Sequence, residues 1–549
     1  MSTAERTTTL ILAAMASAYF LLLLLPSLSP HYGFYSDELY YLACADRLAF
    51  GFVDHPPLFP LVLRLHRELF GDSLVALRVL PTAAGALTTF LTGWMAGRLG
   101  GGRFAQVLAA LATMVSGGSL VLFSWFSVNC LEILVWTGAC WVLLERCRSD
   151  ELRLWVALGA VLGLALLNKH TSAVLIAGLG VAIAATPLRR DLRGPWPWIG
   201  ALVALGLFSP NLFWQAAHGW PSLAFYREVA AANLATSPLT VLAGQVETQN
   251  PATLPVWACG AYYFLRSPDA RRYRALGWLF VIVLAIAMVG GQSRPDRIAG
   301  IFPLVFAGGA VFLERVRRPR ASPLRRLWNT YTLPAFMVAT GVAAATLVLP
   351  VLPPPTLARH PLYDADEGSG WRTEYGRNEI PYHLGNRTHW KAFVSKVAEV
   401  YRGLSPPQSA QTLLLADYFG HAGALEYYGR EHGLPAVYSP HTGYYLWGPP
   451  PGEPETLISI GIDEALLRAS FEDVRVAAVF RCSYCPPWVD DLPIHVASRP
   501  RRAISELWRN LGRIGGMSRR ERLLREQESR RSPGATGESS SRGSVREPS

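Results

Sequence analysis

Two carboxylates stand side by side where the first apolar run of the chain ends. The stretch "HYGFYSDELYYLACADRLAFGFVDHPPL", residues 31–58, contains Asp37 and Glu38, and then Asp54 and His55 before two prolines. A positioned carboxylate can remove the proton from a hydroxyl as that hydroxyl attacks an electrophile. Carboxylate oxygens can also hold a divalent cation. The spacing is compatible with both kinds of chemistry.

Further ionisable residues lie near the ends of other apolar runs. Lys169 in "LLNKHTS" is the only lysine among the first 390 residues, Arg294 and Arg297 lie in "GGQSRPDRIAG", and Glu132 lies in "SVNCLEILVW". Charges at or within a membrane are costly, so these residues are candidates for a functional site. Two alternatives stay open: Lys169 as a residue that snorkels to the membrane surface, and Glu132 as a hydrogen-bond partner between helices.

The elements that must position these residues are membrane helices. Of the 549 residues, 51% are hydrophobic and only 17% are charged, which predicts a polytopic α-helical membrane protein. The first apolar run has no small-residue cleavage site, so we interpret it as a retained helix. We predict about eleven transmembrane helices, near 8–28, 74–97, 104–123, 127–145, 154–168, 171–187, 197–215, 251–266, 276–291, 298–314 and 331–352.

The arginine distribution predicts the orientation of these helices. With a cytoplasmic N-terminus, the inner loops contain 18 arginines and the outer loops contain 7 lysines or arginines. Cytoplasmic loops retain positive charge, so this bias favours that orientation in the plasma (inner) membrane. The net charge of +11 is then a topology signal and implies no nucleic-acid partner. All the candidate site residues fall on the extracytoplasmic side.

The stretch "YSDELYYLACADRLAFGFVDHPPLFPLVLRL" closely resembles the first extracytoplasmic loop of the glycosyltransferase family 39 type. That family belongs to the GT-C superfamily, which includes dolichyl-phosphate-mannose protein mannosyltransferases and the bacterial aminoarabinose lipid A transferase. The acidic pair after the first helix and the PPL element that opens an amphipathic segment carry the resemblance. "FSVNCLEILVW", "LGLALLNKHTS", "RIAGIFPLVFAGGA", "ADYFGHAGALEYYG" and "HTGYYLWGP" resemble later family segments.

The resemblance implies a GT-C-like fold and a membrane glycosyltransferase. Such an enzyme moves a hexose or pentose from a polyprenyl-phosphate-linked donor to an acceptor hydroxyl on the extracytoplasmic face, with inversion. The resemblance points to the acidic pair as the catalytic residues, and we choose Asp37 as the base, with Glu38 beside it. The leaving phosphate then requires cations, for which Lys169, Arg294 and Arg297 are the candidates.

One position departs from the family pattern. In the aminoarabinose transferase a lysine precedes PPL and is thought to contact the donor phosphate, whereas this chain has His55 there. His55 can bind the phosphate if it is protonated beside Asp54; otherwise Lys169 and Arg294 take that role. No cofactor is required by this scheme, but a divalent metal ion held by Glu38 and Asp54 remains open. The supporting residues of the predicted site are Asp54, Asn129, Glu132 and Tyr40.

The sequence divides into three parts. Residues 1–352 form the predicted transmembrane catalytic domain, with the extracytoplasmic loop 29–72. The polar, mixed sequence of 353–498 predicts a small extracytoplasmic α/β domain, with strands in "QTLLLADYF" and "ETLISIGI" around a helix in "HAGALEYYGREHG". Residues 499–549 contain 13 arginines and few large apolar residues, which predicts a mostly disordered tail, with a helix near 517–530, that contacts anionic lipid headgroups.

Cys482 and Cys485 form a lone C-x-x-C motif in this predicted α/β domain. A zinc site needs two more ligands, and only His495 lies near in sequence. Because the extracytoplasmic space is oxidising, we predict a local disulfide.

Two broader alternatives stay open. A transporter or a flippase of a lipid-linked sugar also has many helices with buried charges, although transporters usually show internal repeats, which this chain lacks. The acceptor also stays open among a glycolipid, a polysaccharide and a protein.

Overall fold

The computed structural model describes residues 3–232, 237–290, 294–317, 328–363, 378–512 and 514. The predicted helix at 517–530 and nearly all of the arginine-rich tail beyond Leu511 lie outside these residues. Sixteen helices are described up to residue 348. They are α1 (Thr3–Leu24), α2 (Ser36–Asp46), α3 (Leu58–Phe70), α4 (Leu74–Arg98), α5 (Arg103–Val115), α6 (Gly117–Leu122), α7 (Val128–Arg148), α8 (Leu154–Asn168), α9 (Ser172–Ala184), α10 (Trp196–Ala217), α11 (Pro221–Ala232), α12 (Pro238–Thr248), α13 (Leu254–Arg266), α14 (Arg274–Val289), α15 (Phe302–Val316) and α16 (Leu333–Val348).

Seven helical segments in the described part of the chain are long and apolar enough to cross a membrane, or eight if one bent pair forms a single span. The seven are Thr3–Leu28, Leu74–Arg98, Val128–Arg148, Trp196–Ala217, Pro268–Val289, Pro295–Val316 and Thr330–Val348. Each of the eleven apolar runs contains a helix, so the polytopic helical fold class is confirmed. The count of eleven spans is not confirmed, because α5 and α8 are too short to cross a membrane and α9 bends by 97° into Pro187–Arg193.

The region between the first two spans is built from two short helices. α2 carries the acidic pair, and α3 begins directly after the two prolines, where a proline near a helix start sacrifices no hydrogen bond. Apolar residues at a spacing of four leave one side of α3 exposed, because Leu61, Leu65 and Leu69 all face outward. Such a stripe is typical of a helix that lies along the membrane surface.

After residue 348 the chain forms the predicted α/β domain. Its helices are α17 (Pro354–Leu357), α18 (Tyr382–Gly385), α19 (Trp390–Arg402), α20 (Pro406–Ala410), α21 (Phe419–Tyr428), α22 (Thr442–Leu446), α23 (Glu464–Ser470) and α24 (Ile504–Leu511). Its strands are β1 (Thr412–Ala416), β2 (Val437–Tyr438), β3 (Thr456–Ile460), β4 (Phe471–Phe480) and β5 (Leu492–Pro500).

The five strands form one mixed sheet in the order β2-β1-β3-β5-β4. β1 pairs in parallel with β2 and β3, so that Leu414 lies opposite both Val437 and Ile458. β5 is antiparallel to β3 and β4. The parallel pair requires a crossover, and α21 provides it between β1 and β2.

The folded domain extends past the predicted boundary at 498. α24 packs Leu507 and Trp508 against Leu457 and Ala497 of the sheet. The tail prediction was therefore wrong for residues 499–511, because the four arginines there accompany an amphipathic helix with a buried apolar face. The predicted disulfide between Cys482 and Cys485 is present.

One hydrophobic core joins the α/β domain to the loop 29–72. Leu39 and Tyr40 of α2 share this core with Trp390, Phe419 and Tyr444 of the α/β domain. α2 is therefore enclosed between the membrane helices and the α/β domain.

Candidate active site

Asp37 and Glu38 occupy consecutive positions in the first turn of α2 and point into different surroundings. Glu38 is fully buried, whereas Asp37 is only partly buried. Successive helical residues are separated by about 100° around the axis, so one of the pair turns inward while the other reaches a different side. The two carboxylates therefore have different roles.

The Glu38 carboxylate accepts four hydrogen bonds. Its Oε1 atom accepts from Arg78 Nε at 3.3 Å and from the Phe126 backbone N–H at 3.1 Å. Its Oε2 atom accepts from Arg78 Nη2 at 3.0 Å and from the Tyr35 N–H at 2.7 Å. A carboxylate offers about four lone-pair directions, so these contacts occupy them all. Glu38 is thus held as a buried anchor, and its roles in catalysis and in metal binding stay predictions.

Arg78 was missed by the sequence interpretation. It is the only charged residue in the apolar run 74–97, and it is completely buried in α4. A charge inside a membrane helix is a functional candidate by default, so the signal was present. Its Nη2 atom also donates to the Gly33 carbonyl at 2.8 Å, and it therefore ties both the acidic helix and the segment before it to the membrane domain.

Asp37 faces a second carboxylate and a cation. Burial and the nearby Asp54 carboxylate raise the pKa of Asp37 to about 7, against the lowering effect of Arg294. Burial disfavours the charged form of a carboxylate, and a like charge acts in the same direction. A pKa near the working pH suits a general base, because the group is both available and strong enough to take a proton.

The loop that carries Asp54 is held by residues far away in the sequence. Asp54 accepts a hydrogen bond from Tyr40 Oη at 2.9 Å. Asn211 Nδ2 of α10 donates to the Phe50 carbonyl at 2.9 Å, and Ser222 Oγ donates to the Phe52 carbonyl at 3.1 Å. These contacts fix Asp54 on the side of α2 where Asp37 lies.

His55 is enclosed in the same turn. Its ring lies 4.7 Å from that of Phe52 and 5.2 Å from that of Tyr41, and its Nδ1 atom is 3.0 Å from the Pro56 carbonyl oxygen. Only 1% of the residue is exposed. Its Nε2 atom lies 3.8 Å from Asp54 Oδ1, and contact of His55 with the donor phosphate stays a prediction.

Lys169 lies at the turn between α8 and α9 and is held by two polar side chains. Its ammonium group donates to Asn129 Oδ1 and to Glu132 Oε2, each at 2.7 Å. Thr171 Oγ1 donates to the other oxygen of Glu132 at 2.6 Å. Two of the four supporting residues named from the sequence, Asn129 and Glu132, thus contact Lys169, and Glu132 neutralises much of its charge.

Arg294 and Arg297 lie where the chain enters the helix that ends at Val316. Arg294 pairs with Asp296, with Nη2 and Oδ2 2.7 Å apart, and its side chain remains 47% exposed. Asp296 is acted on electrostatically by Lys169, Arg294 and Arg297. The three predicted phosphate-binding cations therefore gather around one carboxylate.

His170 and Tyr226 complete the surroundings and were not singled out from the sequence. The two rings are 5.9 Å apart, and His170 Nε2 lies 3.0 Å from Asn211 Oδ1. Burial lowers the pKa of His170, on which the Asp54 charge also acts. No spacing in the sequence connects these two residues to the acidic loop.

A metal ion held by Glu38 and Asp54 stays a prediction, and in the structure the Glu38 oxygens accept hydrogen bonds from Arg78, Tyr35 and Phe126, while Asp54 accepts one from Tyr40. Within the described residues, the one group of three or more ligand-type side chains close enough to share an ion is Cys482, Cys485 and Asp490. Its cysteines are joined in the disulfide and offer no thiolate.

Comparisons with known proteins give one family match and a structural similarity. The family model "Dolichyl-phosphate-mannose-protein mannosyltransferase" matches residues 54–214. The chain is similar in structure to ArnT from Cupriavidus metallidurans, solved in the apo state and bound to undecaprenyl phosphate. Each comparison gives a TM-score of 0.58 at 15% identity and covers 90% of this chain and 98% of ArnT. The chain shares the fold of ArnT. A comparison with curated proteins gives no match.

This shared fold confirms the predicted fold class, a polytopic helical protein with a small α/β domain after the membrane helices. The matched family segment begins at Asp54 and contains Asn129, Glu132 and Lys169. It does not include α2 or the arginines after residue 290. The placement of Asp37 and Arg294 at one site therefore depends on the geometry described above.

Proposed function

We propose that this protein is a membrane glycosyltransferase that moves a sugar from a polyprenyl-phosphate-linked donor to an acceptor hydroxyl on the extracytoplasmic face, with inversion. The observation that carries the proposal is the position of Asp37, a partly buried carboxylate of raised pKa, close to the exposed cation Arg294. The family match and the structure of ArnT with undecaprenyl phosphate support the choice of a lipid-phosphate donor.

The reaction is a single displacement at the anomeric carbon. Asp37 takes the proton of the acceptor hydroxyl as its oxygen forms the new bond to that carbon. The bond between the anomeric carbon and the phosphate oxygen breaks, and its electron pair stays on the departing polyprenyl phosphate. Attack from the face opposite the leaving group inverts the anomeric configuration.

The leaving phosphate gains negative charge during this step. Arg294 is the best-placed cation to stabilise it, because the guanidinium is exposed and lies near enough to Asp37 to act on its ionisation. Lys169 and Arg297 add positive charge from the other side of Asp296. Preorganised charges of this kind stabilise a transition state because they need little reorganisation. In this scheme the side chains supply the charge, so no metal ion is required.

The arginine bias of the loops supports an extracytoplasmic location for this chemistry. Nucleotide sugars are cytoplasmic, so an outward-facing transferase needs a donor that a lipid carries across the membrane. The exposed apolar side of α3 supports contact of the site with the bilayer, where the polyprenyl tail lies. A glycolipid, a polysaccharide or a protein is the acceptor class.

The deciding experiment uses purified protein in detergent with a radiolabelled polyprenyl-phosphate sugar. We expect release of polyprenyl phosphate together with transfer of the label to an acceptor from the same cell envelope, and loss of both in Asp37→Asn. Movement of intact donor between the leaflets of a vesicle without cleavage would overturn the proposal and favour a flippase of the lipid-linked sugar.

A further inference from the structure

The α/β domain holds the chain immediately before Asp37. The Gly33 N–H donates to the Arg387 carbonyl at 2.7 Å, and the Ser36 N–H donates to Asn386 Oδ1 at 2.8 Å. Both donors are backbone groups on either side of Tyr35, so two residues of the α/β domain fix the path of the chain into α2. The side chain of Asn386 replaces the hydrogen bond that a first-turn amide of a helix otherwise lacks.

The Asn386 loop is itself rigidly held. Asn386 is fully buried, and only 1% of Arg387 is exposed. The Trp390 Nε1–H donates to the Asn386 carbonyl at 2.7 Å, which ties the loop to the start of α19. Because this buried loop is anchored through its own backbone, the Asn386 side chain can hold the Ser36 amide in a fixed position.

α21 fixes the same helix from a second direction. A Cβ atom placed on Gly423 would lie 2.9 Å from the carbonyl carbon of Leu39, and one on Gly420 would lie 2.9 Å from Ser36 Cβ. Real Cβ atoms essentially never approach so closely, so these glycines set how near α21 comes to α2. The α/β domain therefore contacts α2 along its first turn, where Asp37 lies.

We propose that Asn386 of the α/β domain is a positioning residue for the transfer reaction, acting through the Ser36 amide on the placement of Asp37. This inference rests on the proposed function, because it assigns Asn386 a role in the same site. The inference also gives the α/β domain a part in catalysis. In the proposed transfer reaction, the Asn386 side chain touches neither the donor nor the acceptor.

The proposal has a consequence for proton transfer. The charged groups that act on Asp37 are Asp54 and Arg294 across the site and Glu38 on its own helix, while Arg387 of the α/β domain acts on Glu38. If the first turn of α2 loosens, Asp37 becomes better hydrated and its pKa falls towards its ordinary value. A variant at Asn386 should therefore change the pH dependence of catalysis as well as its rate.

The test compares three single variants of the full-length protein in the transfer assay. Asn386→Leu keeps the size of the side chain but removes the acceptor for the Ser36 amide. Asn386→Asp keeps an acceptor oxygen next to a helix N-terminus, where a negative charge is favourable. Thr388→Val is the matched control, because the Thr388 hydroxyl donates to the Gly385 carbonyl within the same loop and does not contact α2.

We expect Asn386→Leu to lower kcat about 10- to 100-fold with a small change in donor KM, because misplacing a base affects the chemical step more than binding. The acidic limb of its pH profile should move to lower pH by about one unit. Asn386→Asp should retain most of the wild-type kcat at the alkaline plateau, and Thr388→Val should match wild type in kcat and in the pH profile.

The outcomes separate the inference from the proposed function. If wild-type protein releases no polyprenyl phosphate, the proposed function fails. If wild type is active but Asn386→Leu changes only the melting temperature, with kcat per folded molecule and the pH midpoint unchanged, the positioning role is wrong. Should Asn386→Leu not fold, Asn386→Asp decides: a kcat of this variant more than about tenfold below wild type overturns the positioning role.

Discussion

The Glu38 carboxylate and the Arg78 guanidinium form a buried ion pair with two hydrogen bonds, at 3.0 Å and 3.3 Å. Both side chains are completely shielded from solvent. The pair joins the acidic helix α2 to the membrane helix α4, and the neighbouring Asp37 is left to face the site. The acidic motif therefore combines one anchoring carboxylate with one carboxylate that is free for chemistry.

Glu38→Gln should destabilise the protein strongly, because it leaves the Arg78 charge buried without its counterion. Breaking one partner of a buried pair costs about 3–5 kcal/mol. Thermal melting of the detergent-purified variant measures this loss. The double variant Glu38→Gln with Arg78→Met should melt at a higher temperature than the single variant, since it removes the orphaned charge. Equal melting temperatures for wild type and Glu38→Gln would contradict the anchoring role.

Asp37→Asn should abolish transfer while the protein stays folded in the membrane. The amide keeps the shape of the side chain but cannot take a proton, and loss of a general base typically costs about 10²–10⁴-fold. Asp46→Asn is the matched control, because Asp46 lies at the other end of α2 and pairs with Arg67 at 2.7 Å. Activity of Asp37→Asn within a few-fold of wild type would remove Asp37 from the role of base.

The sequence was sufficient to predict the polytopic helices and the α/β domain, whereas the outward grouping of charges stays a prediction. The length of an apolar run and the arginine bias of a loop are local signals, and they do not depend on how the helices pack. The different roles of Asp37 and Glu38 were beyond reach, because they depend on which face of α2 meets Arg78. The surroundings of His55 were beyond reach for a related reason: its position in a motif does not reveal that Phe52 and Tyr41 lie against its ring.

Long-range partners limit prediction most. Asn386 lies 350 positions after Ser36, and no pattern in "LGNRTHW" indicates that its side chain ends at a helix amide. The number of spans also stays a prediction, because an apolar run of 13 to 15 residues can pack inside the bundle without crossing the membrane.

The pH dependence of transfer should report the ionisation of Asp37. With a folded-state pKa raised to about 7, the fraction of active base increases as pH rises, so kcat/KM should climb below that pH and level off above it. Asp54→Asn should move the midpoint to lower pH, because the Asp54 charge raises the pKa of Asp37. Arg294→Gln should move it to higher pH, because Arg294 lowers that pKa. A profile that is flat across neutral pH would contradict the assignment.

The same shift makes a prediction about stability. Asp37 has an ordinary pKa of 3.8 and a folded-state pKa of about 7, so the folded protein binds more protons than the unfolded chain between these values. The free energy of unfolding therefore falls as pH rises through this window. Asp37→Asn lacks this penalty, so its melting temperature relative to wild type should increase from about pH 4 to pH 7 and then stay constant. A melting-temperature difference between Asp37→Asn and wild type that does not change with pH would show that burial does not raise the pKa of Asp37.

Arg294→Gln should raise the donor KM and lower kcat, because the exposed guanidinium is the best-placed partner for the phosphate. Lys169→Ala should also weaken use of the donor, but it leaves Glu132 without its ion-pair partner at 2.7 Å and should lower the melting temperature as well. Kinetics with a polyprenyl-phosphate sugar and thermal melts of both variants separate the two roles. Wild-type kinetics in Arg294→Gln would exclude Arg294 from phosphate binding.

The orientation of the protein can be tested with single introduced cysteines. Glu228 is exposed in the loop 218–250, which the arginine bias predicts to be extracytoplasmic, and Arg317 lies in the loop 315–326 on the opposite side. The native cysteines interfere little with the labelling, because four of the five free cysteines are buried. The remaining two cysteines of the chain, Cys482 and Cys485, form the disulfide. A membrane-impermeant maleimide should label Glu228→Cys in intact cells and should label Arg317→Cys only after the cells are opened. The reverse pattern would place Asp37 and Arg294 in the cytoplasm, where a lipid-linked donor delivered to the outer face does not reach them.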